Sequence, residues 1–123
     1  MPVLLITNET IMVNQDELIE ILSACSLVCK KCAAACLMEN NFEKYSICAK
    51  LNLDCAGITN ITGELSVRGS AVLDKQLEVC IEICRLCAAE CEKHSEIPLC
   101  KSCAEICQEC QSTCDSYSHQ HSN

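Results

Sequence analysis

The sequence predicts an all-α fold: an antiparallel four-helix bundle with a cysteine-lined core, built from a duplicated α-hairpin. Three observations carry this. Cysteines recur at gaps of three and four residues, which places them along one face of a helix. Helix start and stop signals bracket the cysteine-bearing segments. The pattern also repeats, because adding 55 to Cys25, Cys29, Cys32 and Cys36 gives Cys80, Cys84, Cys87 and Cys91, and the same shift takes Cys48 to Cys103 and Cys55 to Cys110.

Asn14 with Glu17 forms a capping box for a first helix that runs to about residue 39. At about 100° per residue, its four cysteines fall within an arc of roughly 60°. Asn40-Asn41 breaks the chain, and a second helix spans about 41–67, carrying Cys48 and Cys55 one heptad apart. Gly57, Gly63 and the threonines between them make its second half the weakest helical stretch. Gly69-Ser70 suits a stop followed by an N-cap, opening a third helix to about residue 93. Glu96-Ile97-Pro98 starts a fourth, since Pro is tolerated in a first turn, and Cys100, Cys103, Cys107, Cys110 and Cys114 follow on one face. The tail SYSHQHSN is expected to fray. The domain boundaries are therefore an extension at 1–13, a bundle at 14–117 and a flexible tail at 118–123.

By composition 50% of the chain is apolar, but 15 of the 123 residues are Cys and only three are Phe or Tyr. Without the cysteines little would fill an ordinary interior, so the thiols occupy the place of the core. Short loops make neighbouring helices antiparallel. Measured from the end carrying loops 38–43 and 93–97, Cys25, Cys55 and Cys80 lie roughly 20 Å down and Cys114 about 24 Å. Beyond them the inward positions are Leu18, Ile21, Leu22, Ile58, Leu73 and Leu77, an expected oily plug.

A formal charge of −8 opposes nucleic-acid binding, which relies on Lys and Arg to neutralise phosphate. No apolar run reaches membrane-spanning length, so neither nucleic acid nor membrane is an expected partner. So high a cysteine content often marks a secreted disulfide scaffold. Against that, residues 1–12 show no secretory signal and the cysteine count is odd. The expected location is the cytoplasm, where thiols stay reduced and Cys clusters serve metals or catalysis. No nucleophile–base pair or phosphate loop is present, so no enzyme is expected.

Disulfides within a stripe fit badly, because helical neighbours at i and i+4 hold their Cβ atoms about 5–6 Å apart and a disulfide wants about 3.5–4.5 Å. Two sulfur–metal bonds near 2.3 Å span the gap better. Six C-x3-C pairs, 25/29, 32/36, 80/84, 87/91, 103/107 and 110/114, could each chelate an ion from one helix. Soft thiolates select Cu(I), zinc or iron–sulfur clusters. Each Cu(I) cancels one thiolate charge, so shared sulfurs allow many ions with little buried charge. Zinc or iron–sulfur ligation and thiol redox chemistry stay open as alternatives. The C-x3-C-x2-C spacing of radical SAM enzymes lacks its barrel and loop, and the C-x2-C pairs lack a βαβ setting and mostly sit mid-helix.

The segments C-x3-C-[KR]-x-C-A-A-x-C at 25–36 and 80–91, E-C-E-K-H at 90–94, and C-x2-C-A-x2-C-x2-C-x3-C at 100–114 together resemble the Csp family of bacterial copper storage proteins. The resemblance covers about residues 14–117. It implies a four-helix bundle whose fifteen core thiolates bind multiple Cu(I) ions per monomer, and a homotetramer of such bundles. Lacking an export signal, the chain resembles the cytosolic branch. A copper chaperone is a candidate partner. Helix 2 has only two Cys, so a lower capacity is expected than in richer members. His94 and Met38 flank the loops at the thiol end and are candidate ligands at the way in. Their plainer roles are a cation on a helix C-terminus and a loop contact. His119 and His121 are read as tail residues.

Overall fold

The computed structural model describes residues 12–121. Four α-helices account for most of them: α1 Gln15–Leu37, α2 Ser46–Arg68, α3 Leu73–Glu92 and α4 Pro98–His121. Neighbouring helices pack around a square, α1 on α2, α2 on α3, α3 on α4 and α4 back on α1. The cysteine stripes face the centre. The expectation for residues 1–11 of the extension lies outside the described residues.

The capping box forms as expected. Asn14 Oδ1 accepts from Glu17 N at 2.8 Å, while Glu17 Oε1 accepts from Asn14 N at 3.0 Å. The Gly69 stop is also in place. Its backbone is left-handed (φ 61°, ψ 43°), with Ser70 N donating to Leu65 O at 3.0 Å and Gly69 N to Ser66 O at 3.1 Å, a Schellman closure. Pro98 opens α4 at a position where no N–H is needed.

Three boundaries differ from the sequence expectation. A 3₁₀ turn, Phe42–Tyr45, precedes α2, which begins only at Ser46. The tighter pitch carries Tyr45 inward, where it is buried. Ser70 caps a turn instead of α3: Val72 N donates to Ser70 Oγ at 3.2 Å, and α3 starts at Leu73. The tail does not fray where expected, because α4 continues through His121. There Tyr117 and His121 stack at 4.0 Å, and Val13 N donates to Gln120 Oε1 at 2.7 Å.

The second half of α2 is an unbroken helix. Cys55, Thr59, Thr62 and Ser66 form one buried face, and that packing outweighs the roughly 1 kcal/mol cost of each Gly. Thr59 and Thr62 also donate back to Cys55 O and Ile58 O at 2.7 and 2.6 Å. This corrects the plug. Leu18, Leu22 and Leu77 are fully buried, while Ile21, Ile58 and Leu73 are half-buried against them. The α2 wall of the plug is hydroxyl-lined, with Gln76 Nε2 donating to Thr62 Oγ1 at 3.2 Å.

Candidate metal centre

All fifteen cysteines are free and buried, at 0–1% exposure. Their shortest contacts run between helices. Cys32 and Cys100 sulfurs lie 3.4 Å apart, Cys48 and Cys91 3.5 Å, Cys29 and Cys103 3.6 Å, and Cys36 and Cys100 3.6 Å. Within a helix, Cys25–Cys29 and Cys103–Cys107 are longer, at 4.0 and 3.9 Å. The sequence allows each C-x3-C pair to chelate an ion from one helix; in the structure the closest sulfurs belong to neighbouring helices, because the square brings their stripes closer than one helical turn.

Several groups among the described residues have sulfurs all within 4.8 Å of one another, five of which form a series. From the loop end inward they are Cys32, Cys36, Cys48 and Cys100; then Cys32, Cys91 and Cys103; then Cys29, Cys87, Cys103 and Cys107; then Cys25, Cys29, Cys55 and Cys107; then Cys25, Cys84 and Cys110. Each group shares a sulfur with a neighbour. Cys80 and Cys114, 3.9 Å apart, close the column at its deep end. Cys48 and Cys55 reach across the square to Cys100 and Cys107, each at 4.0 Å.

Among the described residues the buried polar and charged side chains are Ser26, Asn52, Thr59, Thr62, Ser66 and His94. No Lys or Arg is among them, so nothing there offsets a thiolate. Burial pushes the Cys36 thiol up to about 12, with nearby Cys48 adding to it. Burial likewise raises Cys100, followed by its bond to Cys32. At the loop end of the metal-free protein these sulfurs are neutral S–H groups.

Asn52 is the residue that the sequence reading passed over. It is fully buried, and its Oδ1 accepts from Cys87, Cys103 and Cys91 at 3.1, 3.2 and 3.4 Å, while Nδ2 donates to Cys48 at 3.7 Å. The signal was present: Asn52 stands 55 residues before Cys107, on the α2 stripe between Cys48 and Cys55.

At the loop end His94 is 7% exposed. Its Nε2–H donates to Glu90 Oε2 at 3.1 Å, and Nδ1 is a buried atom with no hydrogen bond. The His94 ring meets Tyr45 edge-on at 5.0 Å. Met38 caps α1 but is 83% exposed, so the structure does not bring it into the thiol column.

A sequence model of the family described as copper storage protein matches residues 12–119. The chain belongs to the copper storage protein family. A relative from Bacillus subtilis strain 168, the uncharacterized cysteine-rich protein YhjQ, is 31% identical over 70 residues. That match spans 57% of this chain and 65% of the relative, just under two thirds of its length. A copper-loaded form (five coppers) of a cytosolic copper storage protein from Streptomyces lividans has the same fold, with a TM-score of 0.82 and 28% identity, covering 85% of this chain and 92% of that one. Apo copper storage protein 3 from Bacillus subtilis matches at a TM-score of 0.80 and 28% identity, covering 85% and 99%. The Cu(I)-bound copper storage protein BsCsp3 matches equally well, at 0.80 and 29%, covering 85% and 97%. Like these relatives, this copper storage family member is a four-helix bundle. In it, every cysteine sulfur lies in the space the helices enclose.

Proposed function

We propose that the protein stores multiple Cu(I) ions on its core thiolates. The observation that carries this is a column of fifteen buried thiols, most of them in overlapping groups, with no Lys or Arg buried beside them. A Zn²⁺ on four thiolates would leave two negative charges in that interior, a heavy cost without a neighbouring cation. Each Cu(I) that displaces one thiol proton leaves none, so the column fills without accumulating charge. Distance agrees. With metal–sulfur bonds of about 2.3 Å, a three-coordinate ion sets its sulfurs about 4.0 Å apart. The sulfurs already stand 3.4–4.0 Å apart, so shared, bridging sulfurs need little movement of the helices.

In this reading Cys25, Cys29, Cys32, Cys36, Cys48, Cys55, Cys80, Cys84, Cys87, Cys91, Cys100, Cys103, Cys107, Cys110 and Cys114 are the storage ligands, held by the bundle at 14–117. His94 Nδ1 is a first ligand at the loop end, supported by its burial without a hydrogen bond. Met38 is an outer thioether, a role its exposure permits only at the surface. The chain works as a cytosolic store and not as an enzyme, assembles as a homotetramer, and takes copper from a chaperone. The family and its copper-loaded members, one of them described as cytosolic, support the storage role.

Anaerobic Cu(I) titration of the reduced protein against a competing chelator, with metal analysis, tests it. Charge cancellation predicts uptake on the order of ten or more Cu(I) per chain. Saturation at one to four ions, or displacement of Cu(I) by zinc in direct competition, overturns it.

A further inference from the structure

No cysteine exceeds 1% exposure, so the molecule offers no thiol to an ion outside it. Loading requires part of the wall to open. At the deep end the wall is Leu18, Leu22 and Leu77, all fully buried, and parting them would expose large apolar surface. At the loop end the wall is the 3₁₀ turn Phe42–Tyr45 on one side and loop 93–97 on the other.

One carboxylate joins the two sides. Tyr45 Oη donates to Glu96 Oε2 at 2.9 Å, and Lys44 Nζ lies 3.4 Å from the same oxygen. Glu96 is 49% exposed, so water competes for this tie and it breaks easily. The Tyr45 ring, by contrast, is 6% exposed and packs within the same buried cluster as Cys36, Cys48, Cys91 and Cys100. It stands 55 residues before Cys100, so a ring occupies the place that the repeat gives to the outermost thiol of α4. His94 Nδ1 lies 4.0 Å from Glu96 Oε2, with its ring against Tyr45. The same two side chains therefore cover this soft nitrogen.

We propose that Tyr45 and Glu96 form a latch over the loop end of the thiol column, whose opening admits Cu(I) and uncovers His94 Nδ1. The identity of the ion rests on the storage reading; the latch itself does not. When the Tyr45–Glu96 bond parts, the 3₁₀ turn swings away from loop 93–97 and exposes the group of Cys32, Cys36, Cys48 and Cys100. Ions then pass inward between groups that share a sulfur.

Two readouts separate the latch from the storage reading. The first uses no metal: reduced protein is alkylated with iodoacetamide for increasing times, and each cysteine is followed by mass spectrometry. Tyr45→Phe keeps the ring and removes the hydroxyl, and Glu96→Gln removes the charge. Each should raise the alkylation rate of Cys36 and Cys100 several-fold over that of Cys25 and Cys80, with helicity unchanged. The double variant should rise at least as far as either single one and further than Tyr45→Phe, which leaves the Lys44–Glu96 contact in place. The second readout is stopped-flow Cu(I) loading, which the same variants should speed several-fold at unchanged final capacity. Parent-like alkylation at Cys36 and Cys100, or an equal rise at all cysteines from general loosening, overturns the latch. Low Cu(I) capacity in the parent protein, with selective alkylation still seen in the variants, instead overturns the storage reading and leaves the latch standing.

Discussion

Replacing Asn52 with Ala should destabilise the copper-free bundle by about 3 kcal/mol, from two sources that can be worked separately. Asn52 makes four hydrogen bonds to sulfur, three as acceptor and one as donor. An ordinary buried hydrogen bond contributes about 1 kcal/mol net; at about half that for sulfur partners, four amount to about 2 kcal/mol. Removing the carboxamide also empties roughly 25 Å³ in the centre of the square, and at about 24 cal/mol per Å³ that adds about 0.6 kcal/mol. The assay is urea unfolding of reduced protein under anaerobic conditions, followed by far-UV circular dichroism. With a slope of about 1.5 kcal/mol per molar, the Ala variant should lose about 2 M in midpoint. A loss below about 1 kcal/mol would refute the reasoning, showing that Cys87, Cys91 and Cys103 re-pair with neighbouring sulfurs once the amide is gone.

Three further outcomes are expected. Cys36 is pushed from 9.0 up to about 12 by burial, and Cys100 is raised for the same reason. The stability carried by these neutral thiols is thus complete below pH 9 and is lost as pH rises from there towards 12; the melting temperature of the reduced, copper-free protein should fall steeply over that window, and a flat profile would contradict the neutral-thiol core. Gly69→Ala should cost about 1 kcal/mol in urea unfolding because a side chain resists its left-handed backbone, whereas Gly57→Ala, whose added Cβ meets nothing within 4 Å, should gain about 0.5–1 kcal/mol. Replacing His94 and Met38 together with Ala should slow Cu(I) loading with capacity nearly unchanged, while Cys25→Ser with Cys29→Ser should lower capacity; stopped-flow loading with metal analysis separates the two, and the reverse pattern would place the way in at the other end.

Much of this was legible in the sequence because a helix turns its period into a direction. Gaps of three and four aim Cys25, Cys29, Cys32 and Cys36 at the axis whatever the partner helices are. The capping box at Asn14 and the stop at Gly69 depend on backbone groups a few residues away, so they too are written locally. What was not legible depends on packing across the square. Asn52 reads as a polar substitution on a cysteine stripe, and only the approach of α3 and α4 makes its amide a partner for three thiols. Thr59, Thr62 and Ser66 read as weak helix formers, yet burial makes them the wall of the plug. The tail from Ser116 reads as frayed because nothing in its own sequence holds it; Val13, more than a hundred residues away, supplies one of its anchors.

The sharing of sulfurs between helices bears on how long each copy of the protein lasts. A protease cuts a chain only when it opens. In the empty bundle, opening parts weak sulfur contacts and a small leucine plug. In a filled one, every path to an open chain must pull bridging ions off thiolates supplied by different helices, and ligands that bind only the folded form suppress opening in proportion to their affinity. Degradation would then remove empty copies and spare full ones. A cell that stops meeting copper clears its vacant containers without spilling those still in use.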